Sequence, residues 1–143
     1  MAVVTAQPPT GVPPRPADVD TGFWLWSAAL PLLLIGQLVD AYAAAEAADS
    51  FFIFTTTAVL TVLIGGVVLT FLLLLRSGYR WTRTLLTAGG TATILYTMLS
   101  LTGAPRPPVA AVTYAVTGIV GSVLIGGGIY ALHRADSTRF FTR

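Results

Sequence analysis

The sequence predicts an all-α membrane protein: four transmembrane helices in an antiparallel up-down bundle, preceded by a disordered proline-rich tail. Hydrophobic residues make up 55% of the 143 positions and charged residues only 10%, with a mean hydropathy of +0.78. A soluble domain is about one-quarter charged, so too few polar side chains remain here to cover a water-facing surface. Uncharged stretches long enough to cross a bilayer recur four times along the chain, with short connections between them.

Residues 1–21 form the expected tail. Pro8, Pro9, Pro13, Pro14 and Pro16 fall within it, and proline both lacks an amide hydrogen and keeps its predecessor out of the helical region. A solvated, extended segment follows from that composition, rather than a proline-rich ligand.

The transmembrane domain is expected over 22–133. Its first span, TGFWLWSAALPLLLIGQLVD, has no charge from Phe23 to Val39, with Phe23, Trp24 and Trp26 where amphipathic rings prefer the headgroup boundary. A cleaved secretion signal would need a basic region just before the apolar run, and here only Arg15 precedes it. The segment therefore reads as a retained span over 23–39, prolonged to about residue 48 by the helix-forming stretch DAYAAAEAAD. Pro31 removes one helical hydrogen bond and loosens the turn near Ser27 to Ala29.

The second span, 51–75, is uncharged throughout, and Asp49 or Ser50 offers its N-cap. The third, 84–103, is rich in threonine, alanine and glycine. APRPP at 104–108 breaks the helix and turns the chain into the fourth span, 109–132. Short loops make consecutive helices antiparallel neighbours. A polar tail, 134–143, closes the chain.

Arginine placement sets the threading, because basic residues near short loops stay in the cytoplasm. With a cytoplasmic N-terminus, seven of the eight arginines lie inside and only Arg106 outside. The sequence thus predicts a multi-pass protein of the bacterial cytoplasmic membrane with both termini cytoplasmic.

Chemistry-bearing residues are sparse. The chain has no cysteine and one histidine, His133, which rules out thiol chemistry, disulfides and a multi-histidine metal site. No ionisable residue falls inside a span, where one would mark a functional site by default. Gln37 is the most polar residue of the first span and sits near its outer end. Asp40, Glu46 and Asp49 cluster outside; a divalent cation is conceivable there chemically, but helix capping and threading account for them. No catalytic residue, cofactor site or metal site is expected, an enzyme is disfavoured, and a net charge of +2 is too small to suggest nucleic acid.

Arg76, Arg80, Trp81 and Arg83, in RSGYRWTR, are the candidate contact to lipid or to a partner. Guanidinium pairs with phosphate, although ordinary positive-inside anchoring with an aromatic belt is the simpler account of the loop. A second signal lies in the fourth span, where Ala111, Ala115, Gly118, Ser122 and Gly126 share one helical face. Small residues let membrane helices approach closely, either within the bundle or against another subunit.

The leader ending in VDTGFWLW, residues 12–26, followed by four short spans resembles small membrane proteins of actinobacteria, mycobacteria especially. One such protein is an accessory subunit of an Mce lipid-import complex. The resemblance implies a non-catalytic accessory or scaffold subunit of an envelope or lipid-transport assembly, with membrane lipid and other membrane subunits as partners. It carries no site motif. The other open reading is a small oligomeric carrier or channel, for which Thr55 to Thr57, Thr61, Thr87, Thr91 and Thr93 are the only polar material.

Overall fold

A computed structural model describes residues 14–141. Among them the helices run α1 Ala17–Ala47, α2 Phe51–Arg76, α3 Arg80–Gly103, α4 Pro108–His133 and a short α5 Ala135–Phe140. The first four are long and apolar enough to cross a membrane. The chain is a four-span helical membrane protein.

The expected tail over 1–21 lies outside the described residues as far as 13, and it is shorter than the sequence suggests. Pro16 holds the N-cap position of α1 at φ −58° and ψ 137°, and its carbonyl accepts from the amides of Val19 and Asp20. Asp18 and Asp20 occupy the first turn, where the helix dipole favours negative charge. Pro14 and Pro16 disfavour helix just before Ala17, and burial of Val19 and Phe23 in the core draws the start of α1 to here rather than to the membrane boundary. From there α1 continues without a break through Pro31 to Ala47.

The segment RSGYRWTR is mostly helix rather than loop. Only Ser77 to Tyr79 connects α2 to α3, with Gly78 at φ 83°, a conformation that glycine alone adopts without strain. Arg80, Trp81 and Arg83 therefore sit on the first turn of α3, with Trp81 packed edge-on against Phe71 of α2. The polar tail also acquires structure. In α5, Ser137 is fully buried and donates to the Ala131 carbonyl at 2.9 Å, while Phe141 joins the apolar core.

The helices meet in an ordered series. Going up α1, Asp18 reaches Arg134, Gly22 faces Gly128 and Leu132, Leu33 covers Gly121, and Gly36 faces Thr117; Asp40 reaches Arg106 at the far end. Each step forward on α1 meets an earlier position of the segment 106–134, which contains α4. Glycines make this approach possible: a Cβ on Gly121 would lie 2.8 Å from Leu33, and one on Gly128 only 2.5 Å from Trp26.

The densest core lies toward the end that holds the starts of α1 and α3. Val19, Leu72, Leu75 and Leu132 are completely buried there, with Leu86 and Phe141 beside them. Of the spans that follow one another in the chain, α2 and α3 share the least contact.

Candidate functional site

Three arrangements stand out: an ionic rim at the core end, a single arginine node at the opposite end, and an apolar cleft between them.

The rim is built from the first turn of α1. Asp20 pairs with Arg15 at 3.2 Å and with Arg76 at 3.7 Å, and Asp18 pairs with Arg134 at 3.0 Å. Arg76 also lies over the Phe23 ring, 4.6 Å from its centroid. Arg83 donates to the Leu132 carbonyl at 3.4 Å and to the Thr138 hydroxyl at 3.3 Å, with its guanidinium 5.2 Å from the Phe141 centroid. The four residues that the sequence groups as one contact thus divide. Arg76 and Arg83 are engaged within the fold, while Arg80 and Trp81 are exposed.

At the opposite end Arg106 is the hub. Its Nε and Nη2 both donate to the Asp40 carboxylate, and Nη1 and Nη2 donate to the Ser100 carbonyl and hydroxyl at 2.7 and 2.6 Å. The guanidinium lies 4.2 Å from the Tyr114 centroid. Its side chain is only 6% exposed. The hydrogen bond that Arg106 donates to Asp40, together with that carboxylate's charge, holds the Arg106 pKa above its ordinary value against the opposing effect of burial. The acidic residues of this end therefore do different things: Asp40 binds the arginine, whereas Glu46 and Asp49 are exposed. Among the described residues no group of three or more His, Asp or Glu side chains is placed to hold a metal ion.

Between these ends lies a cleft of about 370 Å³, walled by all four spans. Trp26, Leu33 and Leu34 come from α1, Ile64, Gly65 and Val68 from α2, Ala92 and Tyr96 from α3, and Ile125 from α4. Ile64, Ala92 and Tyr96 are also exposed, so the cleft opens sideways between α2 and α3. Its polar members are Gln37, Thr61, Thr93, Tyr96, Thr97, Tyr114 and Thr117. Among the described residues no carboxylate, guanidinium or imidazole lines it. Sequence inspection cannot find such a cleft, since its walls come from four separate segments and its residues look like ordinary span residues.

The small-residue face of α4 is placed differently from its sequence pattern. Gly118 is buried, and a Cβ there would meet Thr97 of α3 at 2.7 Å. Ala111, Ala115 and Ser122 are half-buried, and Gly126 is exposed with nothing within 4 Å of an added Cβ. The close approach to α1 instead runs through Thr117, Gly121 and Gly128. The bulky partners Leu33 and Trp26 select those glycines, and the sequence of α4 alone does not contain them.

The threonines are not joined into a polar path among the described contacts. Thr55, Thr87, Thr91 and Thr93 each donate to a carbonyl one turn earlier in their own helix, and only Thr61 and Thr93 of the expected set reach the cleft. No family model, curated protein or solved structure matches this chain.

Proposed function

We propose that the chain is a non-catalytic accessory or scaffold subunit of a larger envelope or lipid-transport assembly. It would sit in the bacterial cytoplasmic membrane as an antiparallel up-down bundle with both termini cytoplasmic. The observation that carries this reading is the separation of charge from the interior: ion pairs occupy the two ends, and the intramembrane cleft is lined without a single carboxylate or strong base. A proton-coupled carrier needs an ionisable group at membrane depth, and hydrolytic or transfer chemistry needs a positioned acid and base.

The lateral surface also supports a subunit role. Along α2 and α3, Leu60, Leu63, Val67, Leu95 and Leu99 all stand exposed, a surface suited to lipid or to an apolar partner helix. The back-bonded threonines weigh against the carrier reading, since hydroxyls held by helix carbonyls are poor rungs for a solute.

The test is extraction in mild detergent, cross-linking, and identification of co-purifying subunits by mass spectrometry. Recovery of a defined larger complex is the expected result. Solute movement through liposomes containing the purified chain alone, faster than through empty vesicles, would overturn it in favour of the carrier.

A further inference from the structure

The lateral cleft carries polar groups that the fold itself leaves unused. Thr61 is 9% exposed and Thr97 only 4%, both line the cleft, and neither hydroxyl has a hydrogen-bond partner among the described residues. The Gln37 amide also lines the cleft without one. These groups face the cleft, and a hydroxyl or amide that faces an apolar medium without a partner costs free energy, so it usually has one when the protein works.

These groups lie at one level. Leu34 packs on Gly65, so Gln37, three residues further along α1, comes level with Thr61 on α2. Gly36 meets Thr117, and the adjacent Gly118 meets Thr97. This polar girdle sits about 4.5 Å, three residues of helix, inside the Asp40–Arg106 pair. Beyond it toward the core the walls are mostly apolar, Leu33, Ile64, Val68 and Ile125, together with the Trp26 ring, whose Nε1 is buried without a partner among the described residues. The cleft is therefore polar at one end, apolar at the other, and open toward the surrounding medium at its side.

Charge decides what kind of head fits the girdle. Arg106, beyond the girdle, is already held by Asp40 and Ser100, and among the described residues no charged side chain lines the site. An anionic or cationic head there would be unpaired at membrane depth, which is costly. A neutral head with hydroxyl or carbonyl groups matches the unused Thr61, Thr97 and Gln37. The volume falls within the range of about 300–1,000 Å³ usual for small-ligand sites. We infer that the cleft binds the single chain of a neutral amphiphilic lipid, its hydroxyl- or carbonyl-bearing head on Gln37, Thr61 and Thr97 and its tail directed toward Trp26.

The inference rests on the membrane-subunit reading only for the surrounding bilayer; it needs no partner complex, so the two fail separately. Trp26 supplies the readout. In a Trp24→Phe, Trp81→Phe background it is the sole tryptophan, and in nanodiscs a monoacylglycerol brominated along its chain quenches it on contact. Saturable quenching is expected at a few mole per cent of the probe. Ala92→Phe, which fills the mouth from α3, should abolish the saturable part, while Val62→Phe on the exposed face of α2 should leave it unchanged. Should Ala92→Phe fail to fold by circular dichroism, Ile64→Phe fills the same mouth from α2. Gln37→Leu with Thr61→Val should weaken binding about tenfold, the loss expected for two modest hydrogen bonds. Quenching that rises linearly with probe, or that persists in the filled variants, would overturn the site. Equal saturable quenching by the brominated carboxylate at neutral pH would overturn the neutral head.

Discussion

Asp40 and Arg106, 66 residues apart in the chain, form a two-pronged ion pair that ties the end of α1 to the turn between α3 and α4. The turn is made by prolines that donate no hydrogen bonds of their own, and the arginine makes up for them by reaching Ser100 and Ala104 as well as Asp40. Asp40→Asn would leave this nearly buried guanidinium without its counter-charge. Exposed ion pairs are worth about 0–1 kcal/mol and broken buried ones about 3–5 kcal/mol. With Asp40 itself 29% exposed, about 2 kcal/mol is expected. Thermal unfolding in detergent should show lower stability for Asp40→Asn and for Arg106→Gln. The double variant should be less destabilised than the sum of the two, because each single change strands the other partner. Additive losses would mean the two side chains act independently.

The α1–α4 contact makes a prediction by position. Gly121→Leu and Gly128→Leu drive a side chain into Leu33 and Trp26, and overpacking of this kind costs about 1–3 kcal/mol. Gly126→Leu, two residues from Gly128, points into open space and should unfold at the wild-type temperature or slightly above, because leucine favours the helix more than glycine. Gly118→Leu should destabilise through α3, not α1, since its neighbour is Thr97. If Gly126→Leu retained monomer stability but lost a co-purifying subunit, this exposed glycine would be part of a dock between proteins.

Much of this architecture is legible in the sequence, and the parts that are not share a physical cause. Apolar length and proline position locate α2 and α4 to within a residue or two, since each depends on a continuous local property. The start of α1 at Ala17, the helical state of Arg80 to Arg83 and the docking of α5 depend instead on distant partners: Arg134 for Asp18, Phe71 for Trp81, Ala131 for Ser137. The same holds for the α4 face. Two small-residue stripes are available on that helix, and only the bulk of Leu33 and Trp26 chooses between them. The cleft is the extreme case, with its polar girdle assembled from three helices and no local signature at all.

Threading can be measured cleanly because the chain has no cysteine. Single substitutions at exposed loop positions, Ala48→Cys, Pro105→Cys and Ser77→Cys, leave the packing intact, as none of the three residues is buried. A membrane-impermeant maleimide applied to intact cells should label residues 48 and 105 but reach 77 only after lysis. Labelling of 77 in intact cells would invert the orientation that the arginine distribution implies.

The arginines of the α2–α3 corner separate into structural and free groups, and this too can be tested. Arg83 joins the end of α4 to α5 through the Leu132 carbonyl, the Thr138 hydroxyl and the Phe141 ring. Arg80 is exposed, with no ion pair among the described residues. Arg83→Gln removes the charge that attracts both the carbonyl and the ring, so α5 should detach more often while the four spans stay folded. Trypsin reports this directly, because Arg134 caps α5 and Arg139 lies in its last turn, and helical backbone is cut fastest when the segment opens. Cleavage after Arg139 should be several-fold faster in Arg83→Gln than in wild type and unchanged in Arg80→Gln. The converse readout is retention of anionic lipid during purification, where each surface arginine contributes about 1 kcal/mol. Arg80→Gln should lower the co-purified anionic phospholipid, and Arg83→Gln should not. A loss of lipid from Arg83→Gln with trypsin resistance intact would make Arg83 a headgroup ligand and leave α5 held by Ser137 and Phe141 alone.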